Sequence, residues 1–577
     1  MKRLVGLLIG LFAIVAWAAD GDVKVVDLGD GNALVRINPT QKYLILPVED
    51  TAPDVRVSVI VDNELVETFD VRLAINKVDY TVPYELTKYA GKHVVLRFAL
   101  AGQRGANGTA ANAHPSVSQA AFSHQLKVAN SFDASNKEQL WRPAYHFTPQ
   151  YGWMNDPNGM VYENGEYHLF YQYNPYGSRW GNMNWGHAVS RDLASWEHLP
   201  VAIAPDGLGT IFSGSAVVDK NNTAGFGAGA IVAFYTQASA RQMQSIAYST
   251  DHGRTFKKYA GNPVLTGEVG DFRDPKVSWH EATKKWIMAL AVGQEIRFYS
   301  SPNLKDWTYE SNFGEGQGNH GGVWECPDLF ELAVEGTNTK KWVLVVNINP
   351  GGPFGGSATQ YFVGTFDGHQ FVNESPKATK WMDYGKDHYA TVTWSNAPDN
   401  RVIALAWMSN WQYANDVPTM QFRSANSVPR DLHLFTNQGE TYLGVIPSKE
   451  LLALRGEVVK QPTPLCEIVV DVRKNTEITL SNAKGEKLWM GYDAAKQQFV
   501  MDRKQSGEVA FSEAFPIETV APTYGVLKQL RIFIDRCSVE VFDAEGKMVM
   551  TNLVFPTEPY NQLEIKGGKG KIYEIDE

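Results

Sequence analysis

The chain has 577 residues, 44% apolar, 20% charged and 12% aromatic, a size that exceeds one hydrophobic core and predicts two or three domains. Its net charge of −10 and its lack of any Lys/Arg cluster exclude a nucleic-acid partner, which would need grouped cations against phosphates. Three cysteines, Cys326, Cys466 and Cys537, allow one disulfide at most, so stability must come from packing.

The first residues read as an export leader: Lys2 and Arg3, the apolar run Leu4 to Val15, then Ala16-Trp17-Ala18-Ala19 with small residues where cleavage would fall. The segment 1–19 is therefore expected to be removed, and the protein to be exported to the periplasm or secreted. The run is too short to span a bilayer, and no later segment approaches the ~20 apolar residues a span needs. Residues 20–135 alternate with period two, as in Val55-Arg56-Val57-Ser58-Val59 and Val94-Val95-Leu96-Arg97-Phe98, which predicts a small β-sandwich. The Ala-, Gly-, Asn- and Ser-rich stretch 101–120 reads as a loop or linker into the next domain.

Between 136 and 436 a single plan recurs five times: a turn, an apolar strand, a polar turn and a second apolar strand. Asp156, Ser213, Asp274, Glu325 and Asp387 stand just before the first strand of each unit. Their intervals are 57 (213−156), 61 (274−213), 51 (325−274) and 62 (387−325). Four units continue into a second pattern, Ser or Gly followed by Asp or Asn and then an aromatic, as at Ser190-Arg191-Asp192 to Trp196. There the Asp or Asn side chain is expected to close a hairpin turn. Radial repetition of four-stranded sheets is a β-propeller, here with five blades, in which residues at the start of each inner strand converge on one funnel. From 437 to 577 the period-two alternation returns, most clearly at Leu530-Arg531-Ile532-Phe533-Ile534, and predicts a second β-sandwich. The fold class is all-β throughout.

The funnel phase carries three carboxylates in turn-rich settings: Asp156 in Trp153-Met154-Asn155-Asp156-Pro157-Asn158-Gly159, Asp274 in Phe272-Arg273-Asp274-Pro275, and Glu325 in Trp324-Glu325-Cys326-Pro327-Asp328. An Asp before Pro is by itself an ordinary turn residue. Three at one phase instead fit glycoside hydrolysis, where retention requires two carboxyls about 5–5.5 Å apart. Asp156, among amides and turn N–H groups, suits an ionised nucleophile. The apolar neighbours of Glu325 favour the protonated form of a general acid/base. Asp274 beside Arg273 suits a permanent anion that holds sugar hydroxyls.

The series WMNDPNG, FYQYNP, WGHA, FSGS, FRDP, WECPD and SVPR, in this order, resembles glycoside hydrolase family 32, the invertases, inulinases, levanases and related β-fructofuranosidases, over about 140 to 577. The resemblance implies a five-bladed propeller followed by a β-sandwich, and the same three carboxylate roles. It also implies a pocket for a terminal fructosyl unit lined by Asn155, Gln172, Trp180, Phe212, Ser213, Arg273 and Trp411. Asp387, with Asp383, Lys386 and His388, is expected to contact the same sugar or its leaving group. The N-terminal region lies outside the usual family core and is expected to be an accessory module that captures polymer and is dispensable for cleaving a disaccharide.

Phe212 and Trp411 also fit core aromatics. Asp219-Lys220-Asn221-Asn222 reads as a solvated turn, since it lacks the ligand spacing of a calcium loop. Neither a metal nor a cofactor is expected, and the chain is expected to be a monomer or weak oligomer. The leading function is exo-hydrolysis of levan or inulin, with sucrose as a further substrate. Endo-acting hydrolysis, fructosyl transfer, a non-catalytic sugar-binding propeller and an inverting arabinofuranosidase or xylosidase with wider carboxyl spacing remain as alternatives.

Overall fold

The computed structural model describes residues 23–100, 116–134 and 139–576. The expected leader at 1–19 and the stretch 101–115 lie outside the described residues. Five antiparallel sheets follow one another around an axis. The first is built from Gly152–Glu163, Glu166–Asn174, Asn184–Ser190 and Glu197–Ile203. Inner strands Thr210–Asp219, Phe272–His280, Val323–Ala333 and Tyr389–Thr393 begin the other four. The second strands Glu166–Asn174 and Ala230–Ala238 are buried almost throughout rather than on alternate residues, because each blade is covered on both faces. The hairpin turns are closed as the sequence indicates: Asp192 Oδ1 accepts the N–H groups of Ala194 and Ser195, and Asp367 those of His369 and Gln370. Asp219 likewise anchors a turn, accepting from the N–H groups of Thr223 and Ala224.

The ring closes where Phe422–Arg423 pairs in parallel with Gly152 and Trp153. The fifth blade is completed by Arg430–Asn437 and Glu440–Pro447, so the propeller runs about ten residues past the expected boundary at 436. The alternation that begins at Arg430 belongs to an outer blade hairpin, whose one-sided burial has the same period as a sandwich strand.

The N-terminal domain packs a five-stranded sheet against a three-stranded one over a core including Val35, Leu46, Val57, Val59, Leu96 and Phe98. Residues 116–120, expected to belong to a linker, contribute Val117 and Ala120 to this core. Val117, Ala120 and Phe122 are buried in it, and Lys127–Ala129 pairs with Tyr43–Ile45. In the C-terminal domain the long strands Cys466–Ser481 and Gln562–Ile575 pair with each other and lose register between Val472 and Glu477. Cys466–Asp471 adds Gln529–Asp535 on one side, and Asn475–Ser481 adds Lys487–Asp493, so both long strands pass from one layer to the other and nearly close the sheet. All three cysteines are buried and unpaired. Among the described residues no helix is long and apolar enough to cross a membrane.

A buried charge cluster joins the propeller to the C-terminal sandwich. His146 places Nδ1 2.8 Å from Asp535 and Nε2 2.7 Å from Glu540. Arg430 bridges Glu540 and Asp383. An imidazole that donates from both nitrogens must be an imidazolium. Burial opposes that charge, but the hydrogen bonds to Asp535 and Glu540 outweigh it and raise the pKa to about 9. The unfolded chain holds its His near about 6.5. The contribution is therefore complete below pH 6.5 and is lost as pH rises through 9, a difference of about 3 kcal/mol. Denaturation midpoints compared at pH 6 and pH 9.5 should show this loss, and the slope should be much flatter in His146→Gln, which is less stable at pH 6.

Candidate active site

Every inner strand loses register with its neighbour near the axis. The shifts fall beside Tyr171/Tyr173 in the first blade, then at Phe212/Gly214, Arg273/Lys276, Glu325/Asp328 and Tyr389/Val392. A bulge sets two residues against one and re-aims the side chains. Asp274 (φ 65°), Cys326 (φ 44°) and Ala390 (φ 53°) adopt left-handed backbone at these points, each costing about 1–3 kcal/mol that the surrounding sheet must hold in place.

The bulges deliver Asp156, Asp274 and Glu325 into one pocket of about 340 Å³. Asn155, Gln172, Trp180, Phe212, Ser213, Arg273 and Trp411 line it with them. Asp387 is not among its lining residues. It is fully buried at the junction with the C-terminal sandwich, where its carboxylate accepts hydrogen bonds from Tyr413 Oη, Arg503 Nη1 and the N–H of Leu553. Its neighbours sit in the same junction: Asp383 binds Arg430, Lys386 Nζ donates to the carbonyl of Ala514, and His388 lies against Thr359 and Thr391. The phase along the fifth blade is right, but Asp383, Lys386 and Asp387 take partners from the C-terminal domain and His388 takes its partners within the propeller.

Asp156 accepts from Asn155 Nδ2 (2.9 Å), Ser213 Oγ (2.6 Å) and Cys326 Sγ (3.4 Å). These bonds favour its ionised form, yet burial, with the charge of Glu325, raises its pKa above the usual aspartate value. Asp274 is buried beside Arg273. Burial lifts its pKa well above the carboxylate range, Glu325 and Asp156 add to the effect, and Arg273 opposes it. For both Asp156 and Asp274, loss of hydration and the neighbouring negative charge favour the protonated form. Glu325 does not sit in the apolar setting read from its sequence neighbours. Arg273 donates to its Oε1 from Nη2 (2.8 Å) and Nε (3.2 Å), and the Tyr389 hydroxyl donates to Oε2.

The walls are aromatic. Trp180, 47% exposed, meets Phe212 edge-on with ring centroids 6.2 Å apart. Trp411 serves as both wall and core, stacking on Trp153 at 5.8 Å. Gln172 Nε2 is buried without a protein partner and is a donor left for a ligand. Beneath the carboxylates the axis is plugged: Lys276 Nζ bonds Asp328 (2.8 Å) and the carbonyl of Thr393 (2.8 Å), all buried. The pocket therefore ends blindly.

Gln242, Asp271 and Asn349 also line the pocket and were not read from the sequence, nor was the role of Tyr389. Asp271, which pairs with Arg273 Nη1 at 2.5 Å, carried a signal in standing two residues before that arginine. Gln242 starts the third strand of the second blade and Asn349 ends the second strand of the fourth, and neither carried one.

Residues 146–444 match the model of the glycosyl hydrolases family 32 N-terminal domain and 448–576 that of the family 32 C terminal, while 29–145 match a domain of unknown function, DUF4980. A levanase of Bacillus subtilis is 50% identical over 479 residues, 77% of this chain and 71% of that protein. An extracellular exo-inulinase of Aspergillus awamori is 39% identical over 522 residues, 77% of this chain and 96% of that protein. Among solved structures, exo-inulinase from Aspergillus awamori superposes with a TM-score of 0.72 at 36% identity, covering 76% of this chain and 99% of that one. The β-fructofuranosidase of Schwanniomyces occidentalis complexed with fructosyl-erythritol gives 0.70 at 34% identity, covering 76% and 98%. With a family model spanning more than half of its length and such relatives spanning three quarters of it, the chain belongs to glycoside hydrolase family 32.

Proposed function

We propose that the protein is an exo-acting, retaining fructan hydrolase that releases β-fructofuranosyl units from the ends of levan or inulin chains, and from sucrose. The observation that carries this reading is the blind pocket in which Asp156, Asp274 and Glu325 meet above the Lys276–Asp328 plug. A closed floor receives a chain end, whereas a chain middle needs an open cleft. The relatives named levanase and exo-inulinase support the substrate class.

In this mechanism a carboxylate oxygen of Asp156 attacks the anomeric carbon while Glu325 protonates the departing glycosidic oxygen. Ser213 and Asn155 orient the nucleophile. Arg273 stabilises the carboxylate that Glu325 becomes. Glu325 then takes a proton from water as that water opens the fructosyl ester. Asp274 holds ring hydroxyls, and Gln172 Nε2 supplies a further donor. The leader at 1–19 supports export, to the periplasm or outside the cell, where such polymers are met.

Incubation with sucrose, inulin and levan followed by chromatography tests the reading. Free fructose from the first minutes, without intermediate oligosaccharides, is expected. Early oligosaccharides would mean endo cleavage, and growing chains would mean transfer to sugar rather than water. Asp156→Asn should fold normally and lose at least ~10³-fold in rate. Glu325→Gln should recover part of its first-step rate on an activated fructoside, and NMR should show β-fructose as the first product. Because Asp156 must be ionised to attack, activity should fall on the acid side at a pH above the ordinary aspartate value of 3.8. The Ser213 hydrogen bond lowers the pKa of Asp156, so Ser213→Ala should move that acid limb to higher pH. A limb that stayed in place would detach it from Asp156.

A further inference from the structure

Residues 175–183, between the second and third strands of the first blade, carry Trp180 to the rim of the active-site pocket. The N-terminal domain grips this loop. Phe69 stacks on Tyr176 with ring centroids 3.9 Å apart, and Tyr176 Oη donates to Glu67 at 3.0 Å. Ser178 Oγ donates to Asp50 at 2.8 Å, and the Ser178 N–H donates to Tyr80 Oη at 2.9 Å. Asn182 exchanges two bonds with the backbone of Asp70, at 2.8 and 2.7 Å. The N-terminal domain, expected to be an accessory module for polymer capture, thus also holds the loop that carries Trp180 to the pocket rim.

A second cavity of about 240 Å³ opens at this junction, lined by Asp50, Asp54 and Arg72 from the N-terminal domain and by Arg179 and Trp180 from the loop. Trp180 lines both cavities, so they adjoin at this residue. The Asp54 side chain is 61% exposed and lies 3.3 Å from Arg72. Arg179 Nε is buried without a protein partner. Neither Asp54 nor the Arg72 guanidinium bonds the loop itself, Arg72 Nη1 donating instead to the Asp50 carbonyl at 2.9 Å.

We propose that this junction cavity is a sugar-binding subsite, made jointly by the N-terminal domain and the propeller, for the fructosyl units that precede the one being cleaved. It rests on the fructan reading above. Paired carboxylates and guanidiniums present donors and acceptors at the spacing of neighbouring hydroxyls, and an exposed indole face stacks on the apolar face of a ring. Asp50, Asp54 and Asp70 outnumber Arg72 and Arg179, which disfavours an anion. The carboxylates are already engaged by arginines, Asp50 with Arg179, Asp54 with Arg72 and Asp70 with Arg56, which disfavours a cation. A neutral polyol fits both constraints. The subsite makes chain length a determinant of turnover through a domain that holds none of the three carboxylates.

The test is kcat/KM of the full chain and of Asp54→Ala and Asp54→Ala/Arg72→Gln on sucrose and on fructo-oligosaccharides of increasing length. The ratio of long-chain to sucrose kcat/KM should fall about tenfold in the variants, mainly through KM, as expected when binding shared by ground and transition states is removed. An unchanged ratio, including an equal loss on every substrate, would overturn the subsite. Asp54→Ala alone keeps the test open if the double variant fails to fold, because its side chain is exposed. If the unaltered protein cleaves none of these sugars, the fructan reading itself fails and the subsite falls with it, an outcome the control separates from the first.

Discussion

One guanidinium holds the site together. Arg273 sits between Glu325 and Asp271, with Nε 3.9 Å from Asp274, and is the only cation among the residues lining the pocket. Three carboxylates gathered in one largely buried place repel one another and lose their hydration. Removing one partner of such a buried set leaves charge uncompensated, at about 3–5 kcal/mol. Arg273 lowers that cost for Glu325 and Asp274, while burial raises the pKa values of Asp156 and Asp274 toward their neutral forms. A sugar entering this pocket brings hydroxyls that can donate to the carboxylates. The site is therefore under-satisfied when empty and better satisfied when filled, which favours a polyol ligand over water alone.

The arrangement depends on the propeller more than on any local motif. Strands from different blades place their first residues around one axis, and a bulge at the same phase in every blade turns side chains toward it. The left-handed backbone at Asp274, Cys326 and Ala390 would be unfavourable in an isolated strand. It persists because each inner strand is flanked by two blades and paired along its remaining length. The same closure makes the Lys276, Asp328 and Thr393 plug possible, since those side chains come from three different blades and meet only on the axis.

Much of this was legible in the sequence, because blade periodicity and the phase of Asp156, Asp274 and Glu325 are properties of residue order. What could not be read was who pairs with whom. Asp387 has the right phase and a polar, Gly-containing context, yet Arg503 and Tyr413, far along the chain, bind its carboxylate at the sandwich interface. Glu325 has apolar neighbours in sequence but a guanidinium and a phenol in space. Gln242 and Asn349 reach the pocket from strand ends with no motif around them. Only the last strand of the fifth blade, Glu440–Pro447, falls on the sandwich side of the boundary expected at 436, because an outer blade strand and a sandwich strand both have one buried face and the same period of two.

The division of labour follows from where each wall comes from. The carboxylates and Arg273 are held by inner strands that cannot move without breaking blade pairing, so the chemistry at the first sugar is set by the propeller. Trp180 stands on a loop outside those strands, and its position depends on contacts from a separate domain: Phe69, Asp50, Tyr80 and Asp70. A change in the N-terminal domain can therefore alter the rim, and with it the fit of the rest of a substrate, while the reacting groups keep their geometry. An added domain tunes specificity at low risk when it grips a loop at the mouth of a rigid funnel, because the loop transmits displacement to the ligand and the bulged strands do not transmit it to the carboxylates.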